Sequence, residues 1–515
     1  MTAERRFYIT TPIYYVNDMP HLGHAYTTVA ADALARFMRL DGYRVKFLTG
    51  TDEHGQKVAA SARSAGISPQ EFADRVSLSF REMTGLLAIS NDDFIRTTEP
   101  RHRRAVEALW RELERRGEIY LGRFAGWYSV RDEAFYGEDE LQDGKAPTGA
   151  EVEWVEEENY FFRLSRWGER LLAYYEANPE AIGPKSRKNE VVSFIKSGLN
   201  DLSISRTGFS WGIPVPGNPR HVVYVWLDAL INYLSAIGYP DVENPEFSTY
   251  WPADLHLVGK DILRFHAVYW PAFLMAAGLP PPRRVFAHGW WTVEGEKMSK
   301  SLGNFIPPER LVAIYGRDAV RYFLLRELPF GSDGDFSRRA VVARLNGDLA
   351  NDFGNLAQRV LVMIGRNCGG RVPEPGGEGE ALLANARGLL PALREHMREE
   401  AFHLALEAIW RVVGEANRYV DAAAPWALAR TDRRRMESVL YALAETIRRL
   451  AIVVQPFVPE AAERLLGQLA VAPAARSFAA LEESPLIPGT ALPEPEGIFP
   501  RFVEKTLSCE AGGAR

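Results

Sequence analysis

The chain has 515 residues, 46% of them apolar and 25% charged, with a formal net charge of −6. That length exceeds one ordinary hydrophobic core, so two to four domains are expected. No run of about 18 apolar residues occurs, so no membrane span is expected. The start of the chain leads straight into the strand-like Phe7-Tyr8-Ile9-Thr10, without a signal-peptide hydrophobic region. The two cysteines, Cys368 and Cys509, suit a reducing cytoplasm and exclude a multi-cysteine zinc site. The acidic balance counts mildly against a nucleic-acid binder, although phosphate contacts depend on local potential. Basic clusters stand at Arg101–Arg104, Arg338-Arg339, Arg433–Arg435 and Arg448-Arg449. Each, taken alone, reads as a solvated helix face.

The first 60 residues read as a β-α-β unit. Phe7–Thr10 is a short buried strand and Pro12–Pro20 a loop. His21–Leu40 has helical spacing, with Leu22, Ala25, Val29, Ala33, Leu34 and Phe37 near one face. Val45–Gly50 is a second strand that runs into a polar cluster around Asp52. Polar clusters at the carboxyl ends of parallel strands are where doubly wound sheets bind ligands. Residues 61–118 read as mostly helical. Residues 119–221 change character, with short aromatic strands such as Trp127-Tyr128 and Tyr160-Phe161-Phe162 among acidic turns, and read as an insertion. The α/β pattern is expected to resume at Val222–Val225 and to continue through Leu255–Val258 and Val285–His288. From about 340 the chain reads as a helix bundle, with Leu345, Leu349, Phe353, Leu356 and Val360 on one face. Gly369–Glu380 is a loop within it, and a Pro-rich tail over 485–500 is expected to pack back. The resulting layout is a doubly wound, Rossmann-like catalytic domain (1–118 and 222–288) with a connective insertion (119–221). A loop region over 289–339 and a helical domain over 340–515 follow.

Two short segments carry chemistry. Lys297-Met298-Ser299-Lys300-Ser301 places two ammonium groups in a loop-like stretch between Gly295 and Gly303. His21-Leu22-Gly23-His24 places two imidazoles at a helix start, where the dipole favours anions. Gly23 allows a flat base to approach the backbone. Together they suit attack of a carboxylate on the α-phosphate of a nucleoside triphosphate. That nucleophile is already ionised, so catalysis is positioning and charge stabilisation. Read alone, the histidines are ordinary surface residues or half of a metal site, and the metal reading lacks further ligands nearby. P-loop and dinucleotide glycine signatures are absent from the sequence.

A family resemblance rests on six segments in order: Thr11–Asn17 (TPIYYVN), His21–His24, Gly50–Gly55 (GTDEHG), Tyr224–Ala229 (YVWLDA), Gly259-Lys260-Asp261 and Lys297–Ser301. Over essentially its whole length the chain resembles the class I aminoacyl-tRNA synthetases and, among them, the methionyl-tRNA synthetases. The resemblance implies that His21 and His24 hold ATP phosphates, with Lys297 and Lys300 as the loop lysines. Gly23 joins them in binding ATP, and Gly259 and Asp261 meet the ribose. Asp52 receives the α-ammonium of L-methionine. The methionine pocket is implied at Ile13, Tyr15, Trp226, Ala229, Leu230, Tyr233, Tyr269 and Trp270, with His266 beside them. Aromatic rings suit a thioether, although without the motifs these side chains would read as core. Asn355 and Arg359, one helical turn apart, and Trp426 match the anticodon-reading residues, which stack on and bond unpaired bases.

The sequence departs from many relatives in the insertion. Gly126-Trp127-Tyr128 is followed by Ser129-Val130-Arg131-Asp132, so Ser129 and Asp132 stand where zinc-binding thiolates would be. No zinc is therefore expected, and the resemblance is to the zinc-free bacterial type. ATP with Mg2+, L-methionine and tRNA(Met), both initiator and elongator, are the implied substrates and partners. A cytoplasmic monomer is expected, since no appended dimerising domain follows the bundle. The rival readings are a sibling class I synthetase, a nucleotidylyltransferase with the same paired histidines, and a non-catalytic tRNA-binding paralogue.

Overall fold

The computed structural model describes residues 5–129, 131, 134–293, 296–297 and 306–503. These fall into two compact units. One comprises residues up to 291 with 306–309 and 330–334; the other comprises 310–329 and residues from 335 onward, with 292–293 and 296–297. Among the described residues no helix is long and apolar enough to cross a membrane.

The first unit is built on a parallel sheet. Its strand order is Tyr14–Tyr15, Arg44–Asp52, Arg6–Thr10, Leu255–Gly259, Val285–His288, Ile182–Gly183, and Asp93–Arg96 also pairs with Arg44–Asp52. Arg6–Thr10 is central, and Tyr8, Ile9 and Thr10 are wholly buried because helices cover both faces of such a sheet. Successive strands are added on one side of it and then on the other. That reversal opens a crevice beyond the carboxyl ends of Arg6–Thr10 and Leu255–Gly259. The helix Leu22–Leu40 begins at that end. Gly50 faces Ile95 across the strand pair so closely that a Cβ would lie 2.0 Å from the Ile95 carbonyl oxygen.

Residues 119–221 contribute an antiparallel sheet, ordered Ala134–Tyr136, Ile119–Ser129, Glu153–Phe162, Leu202–Ser203. They also supply the helices Gly168–Ala177 and Lys185–Lys196, and the edge strand Ile182–Gly183 of the parallel sheet. The α/β alternation does not resume at Val222–Val225. Asn218–Val223 instead pairs antiparallel with Ser205–Arg206 and Pro214–Val215, and a helix begins at Val225. A short β-branched run signals a buried strand without naming its partner. Residues 61–118 are mostly helical, with a strand at Asp93–Arg96 whose four residues are too few and too charged to register as a period.

The second unit is helical. Its longest elements are Phe402–Ala423 and Arg433–Val454, and Leu440, Leu443, Ile447 and Leu450 of the latter are wholly buried. The expected face from Leu345 to Val360 is present, but its first part, Leu345–Gly354, is wound as a π-helix before Asn355–Asn367 continues as an α-helix. The carbonyls of Asp348 and Asp352 accept from Trp410 Nε1 and Asn417 Nδ2, both at 3.0 Å. Side chains of a neighbouring helix thus satisfy carbonyls within the wide turns. The tail returns across the bundle, with Val372 N–H on the Thr490 carbonyl at 2.9 Å and Arg464 on that of Ile498 at 2.7 Å.

Of the basic clusters, Arg338, Arg339 and Arg433–Arg435 are exposed. One other cluster is interior and one is split, since Arg103 and Arg104 are exposed. Arg448 and Arg449 are buried against Glu445, and His102 is wholly buried while Arg101 pairs with Asp93 and Glu99. Composition alone cannot separate a paired interior arginine from a surface one.

Candidate active site

The helix Leu22–Leu40 opens with a cap made of two histidines. His21 is the extended N-cap residue, and its Nδ1 accepts from Gly23 N–H at 3.0 Å. His24 Nδ1 reaches back to accept from His21 N–H at 3.2 Å. This is the reciprocal geometry of a capping box with imidazoles in place of Ser and Glu. An Nδ1 that accepts must be unprotonated, so each neutral ring carries its proton on Nε2. The rings stack at 3.8 Å, and Tyr14 and Phe80 pack on His24. Burial lowers both pKa values below the ordinary 6.5, His24 more strongly because it is the more deeply buried and His21 lies against it, while Asp18 and Asp261 partly oppose the shift of His21. The pair thus presents neutral N–H donors at a helix N-terminus.

Asp52 ends its strand as a buried carboxylate, and its carbonyl accepts from Val16 N–H at 3.0 Å. The following Glu53 is wholly buried and gripped by Arg96 through Nε at 2.6 Å and Nη2 at 2.9 Å. The tight corner is thereby braced by a bidentate ion pair.

The helix Val225–Leu230 and the segment after it carry Trp226, Ala229, Leu230 and Tyr233. Trp226 stacks on Phe265 at 3.7 Å and is partly exposed, whereas Ala229, Leu230 and Tyr233 are buried. His266 donates from Nδ1 to the Ile262 carbonyl at 3.0 Å, which leaves Nε2 to accept from the Tyr233 hydroxyl at 2.7 Å. Burial lowers His266 to about 4, so this ring is neutral too. His266 and Tyr269 lie in a π-helical turn, Phe265–Tyr269, that leads into the helix containing the buried Trp270. Ile13, Tyr15, Trp226 and Tyr269 are part-buried on the core to which Leu230, Tyr233 and Trp270 belong.

Gly259 ends the next strand, and a Cβ there would sit 2.5 Å from Asp261 Oδ1. Asp261 accepts from Trp290 Nε1 at 3.1 Å. Lys260 lies over the Trp290 ring at 4.2 Å and pairs with Asp333 at 2.6 Å. His288, one strand further, donates from Nδ1 to the Gly289 carbonyl and accepts from Thr27 Oγ1 at 2.6 Å. That bond ties the histidine-capped helix to the parallel sheet. Lys297 closes a two-residue strand, Glu296–Lys297, opposite Thr292. Lys300 and Asp132 lie outside the described residues.

In the helical unit, Asn355 is exposed and Arg359 half-buried on one helix. Arg359 pairs with Asp421 at 2.8 Å, and its guanidinium lies 5.9 Å from the centre of the Trp426 ring. Trp426 is 50% exposed, which is unusual for its size and leaves a flat apolar face beside a cation.

Sequence reasoning missed several residues around the first site: Tyr14, Thr27, Arg96, Trp211, and the group His54, His102 and Asp228. His54 and Asp228 lie inside quoted motifs and were the available signal. His102 was masked by the arginines around it. Among the described residues no group of three or more His, Cys, Asp or Glu is arranged to hold a metal ion.

A parallel sheet with paired histidines at its switch point is the core of a class I tRNA synthetase, and the family model described as "tRNA synthetases class I (M)" matches residues 7–151 and 138–361. A second model, "Anticodon binding domain of methionyl tRNA ligase", matches residues 371–508. The methionine–tRNA ligase of Brucella suis biovar 1 is 57% identical over 98% of this chain and 99% of its own length. That of Mesorhizobium japonicum is 55% identical over 98% and 99%. Among solved structures, the methionyl-tRNA synthetase of Mycobacterium tuberculosis in complex with methionyl-adenylate superposes with a TM-score of 0.95 at 54% identity, covering 96% of this chain and 100% of that one. The chain therefore belongs to the methionine–tRNA ligase family.

Proposed function

We propose that this chain activates L-methionine with ATP to methionyl-AMP and pyrophosphate, and then transfers the methionyl group to the 3′-terminal adenosine of tRNA(Met), initiator and elongator alike. The observation that carries the activation step is the histidine capping box. The backbone consumes both Nδ1 acceptors, so His21 and His24 offer Nε2–H donors to phosphate oxygens at a helix N-terminus. Methionine is held by its ammonium on Asp52 and by its side chain among Ile13, Tyr15, Trp226, Ala229, Leu230, Tyr233, His266, Tyr269 and Trp270. Its carboxylate attacks the α-phosphate without a general base. Gly23 gives the adenine room, Gly259 and Asp261 hold the ribose, and Lys297 and Lys300 supply cations to the departing pyrophosphate. Mg2+ arrives as part of the ATP complex.

Residues 1–118 and 222–288 form the catalytic domain in this reading. The 119–221 insertion is held by packing and hydrogen bonds without zinc, 289–339 carries the lysine loop, and 340–515 reads the anticodon through Asn355, Arg359 and Trp426. The protein acts as a cytoplasmic monomer. Charging of a tRNA(Met) transcript tests the whole sequence of steps. The expected result is a methionyl ester on the native transcript and loss of about 10-fold or more when one anticodon base is changed. Equal charging of both transcripts would contradict the anticodon role.

A further inference from the structure

Asp228 lies on the helix Val225–Leu230 between the proposed pocket residues Trp226 and Ala229, yet it is wholly buried. Each of its carboxylate oxygens is taken by one imidazole. His54 Nδ1 is 2.6 Å from Oδ2, and His102 Nε2 is 2.7 Å from Oδ1. Both contacts are of charge-assisted length, with the imidazoles donating. His54 stands two residues after Asp52. His102 belongs to the helix Pro100–Arg115, and its Nδ1 meets the Ser235 hydroxyl at 2.9 Å. Trp211 holds the same corner from the other side. Its indole N–H donates to the Glu53 carbonyl at 2.6 Å, its carbonyl accepts from Gly55 N–H at 3.1 Å, and its ring meets His54 edge-on.

We infer that Asp228, through His54 and His102, is a positioning residue that sets the spacing between the ammonium-binding corner at Asp52 and the helix that presents the methionine side-chain pocket. This rests on the methionine-activating reading above. A zwitterionic amino acid held at both ends binds well only if those ends are a fixed distance apart, and displacements near 1 Å are costly. The three segments Asp228 joins are remote in sequence, so one carboxylate does what local structure cannot. Burial pushes its pKa up, but the two imidazoles outweigh that and hold it at about 2, so it stays a double acceptor. A buried carboxylate of this kind is a poor source of net stability, because apolar packing of the same volume would serve as well. Its value lies in geometry.

The test is Asp228→Asn, an isosteric change whose amide turns an N–H toward one imidazole N–H. In methionine-dependent pyrophosphate exchange the KM for methionine is expected to rise about 10-fold or more while the KM for ATP stays within about 2-fold. His102→Leu is expected to reproduce that split. His102→Gln, whose amide places an N–H near the position of Nε2, is expected to stay within about 3-fold of the parent. An unchanged methionine KM in D228N, or equal rises for methionine and ATP, would overturn the inference. If D228N does not fold, the His102→Leu and His102→Gln pair decides by the same criterion. The unmodified protein is the control. Absence of methionine-driven exchange there would sink the functional reading and this inference with it, whereas normal exchange there with no split in the variants would sink the inference alone.

Discussion

His24 performs two jobs with one ring. Its Nδ1 accepts the His21 N–H, and its Nε2–H is the proposed donor to phosphate. His24→Ala removes both. The expected loss in the activation rate is about 10²-fold or more, typical of deleting one donor to developing charge. The lost cap costs about 1 kcal/mol of stability. Single-turnover adenylate formation and a urea titration measure the two losses separately. A variant that activates methionine as fast as the parent would remove His24 from the phosphate site.

Acid sensitivity also belongs to the residue scale. His21, His24, His256, His266, His288 and His403 all have pKa values lowered from 6.5, in each case first by burial. A histidine lowered in the folded state leaves the unfolded state the better proton binder. Stability is then complete above about 6.5 and falls as the pH drops below that value toward the folded pKa values. The raised carboxylates Asp254, Asp318 and Asp352 act in the opposite sense, but starting from an ordinary 3.8. The melting temperature is therefore expected to fall between about pH 7 and pH 5.5. A flat profile across that window would contradict the neutral-imidazole description.

At the scale of elements, the close approach of Arg44–Asp52 and Asp93–Arg96 depends on Gly50. A methyl group there would meet the Ile95 carbonyl oxygen at 2.0 Å and its Cγ2 at 2.7 Å, and strand backbone cannot retreat as a flexible side chain can. Gly50→Ala is expected to destabilise by about 1–3 kcal/mol or more, read as a lower denaturation midpoint at unchanged slope. A midpoint equal to the parent's would mean that the two strands have slack.

The long helices were plain in the sequence because their apolar periods run over many residues, and the central strands because they are short, mostly apolar runs. The histidine pair was visible as a helix start, but not as a cap, since imidazole is not a usual capping group. Short elements with weak patterns were hidden. Ile182–Gly183 is two residues long, and the two π-helical turns leave the apolar spacing of an ordinary helix almost intact. Long-range bonds left no local trace either: His54 with Asp228 spans 174 residues, and Trp211 with Glu53 spans 158.

At the scale of the whole molecule, the paired histidines belong to the sheet unit and the proposed anticodon residues Asn355, Arg359 and Trp426 to the helical unit. Trp426 is half exposed beside Arg359. Trp426→Ala is expected to reduce tRNA charging about 5- to 100-fold, the value of one stacked base, while methionine-dependent pyrophosphate exchange stays at the parent rate. Equal loss in both assays would mean that the substitution acts on the fold rather than on anticodon recognition.

Methionine is the amino acid proposed to drive ATP chemistry at the histidine-capped helix. Pyrophosphate exchange with each standard amino acid in turn tests that claim most directly. Exchange driven by methionine is expected, with the other amino acids at background. Exchange driven by a different amino acid and not by methionine would contradict it.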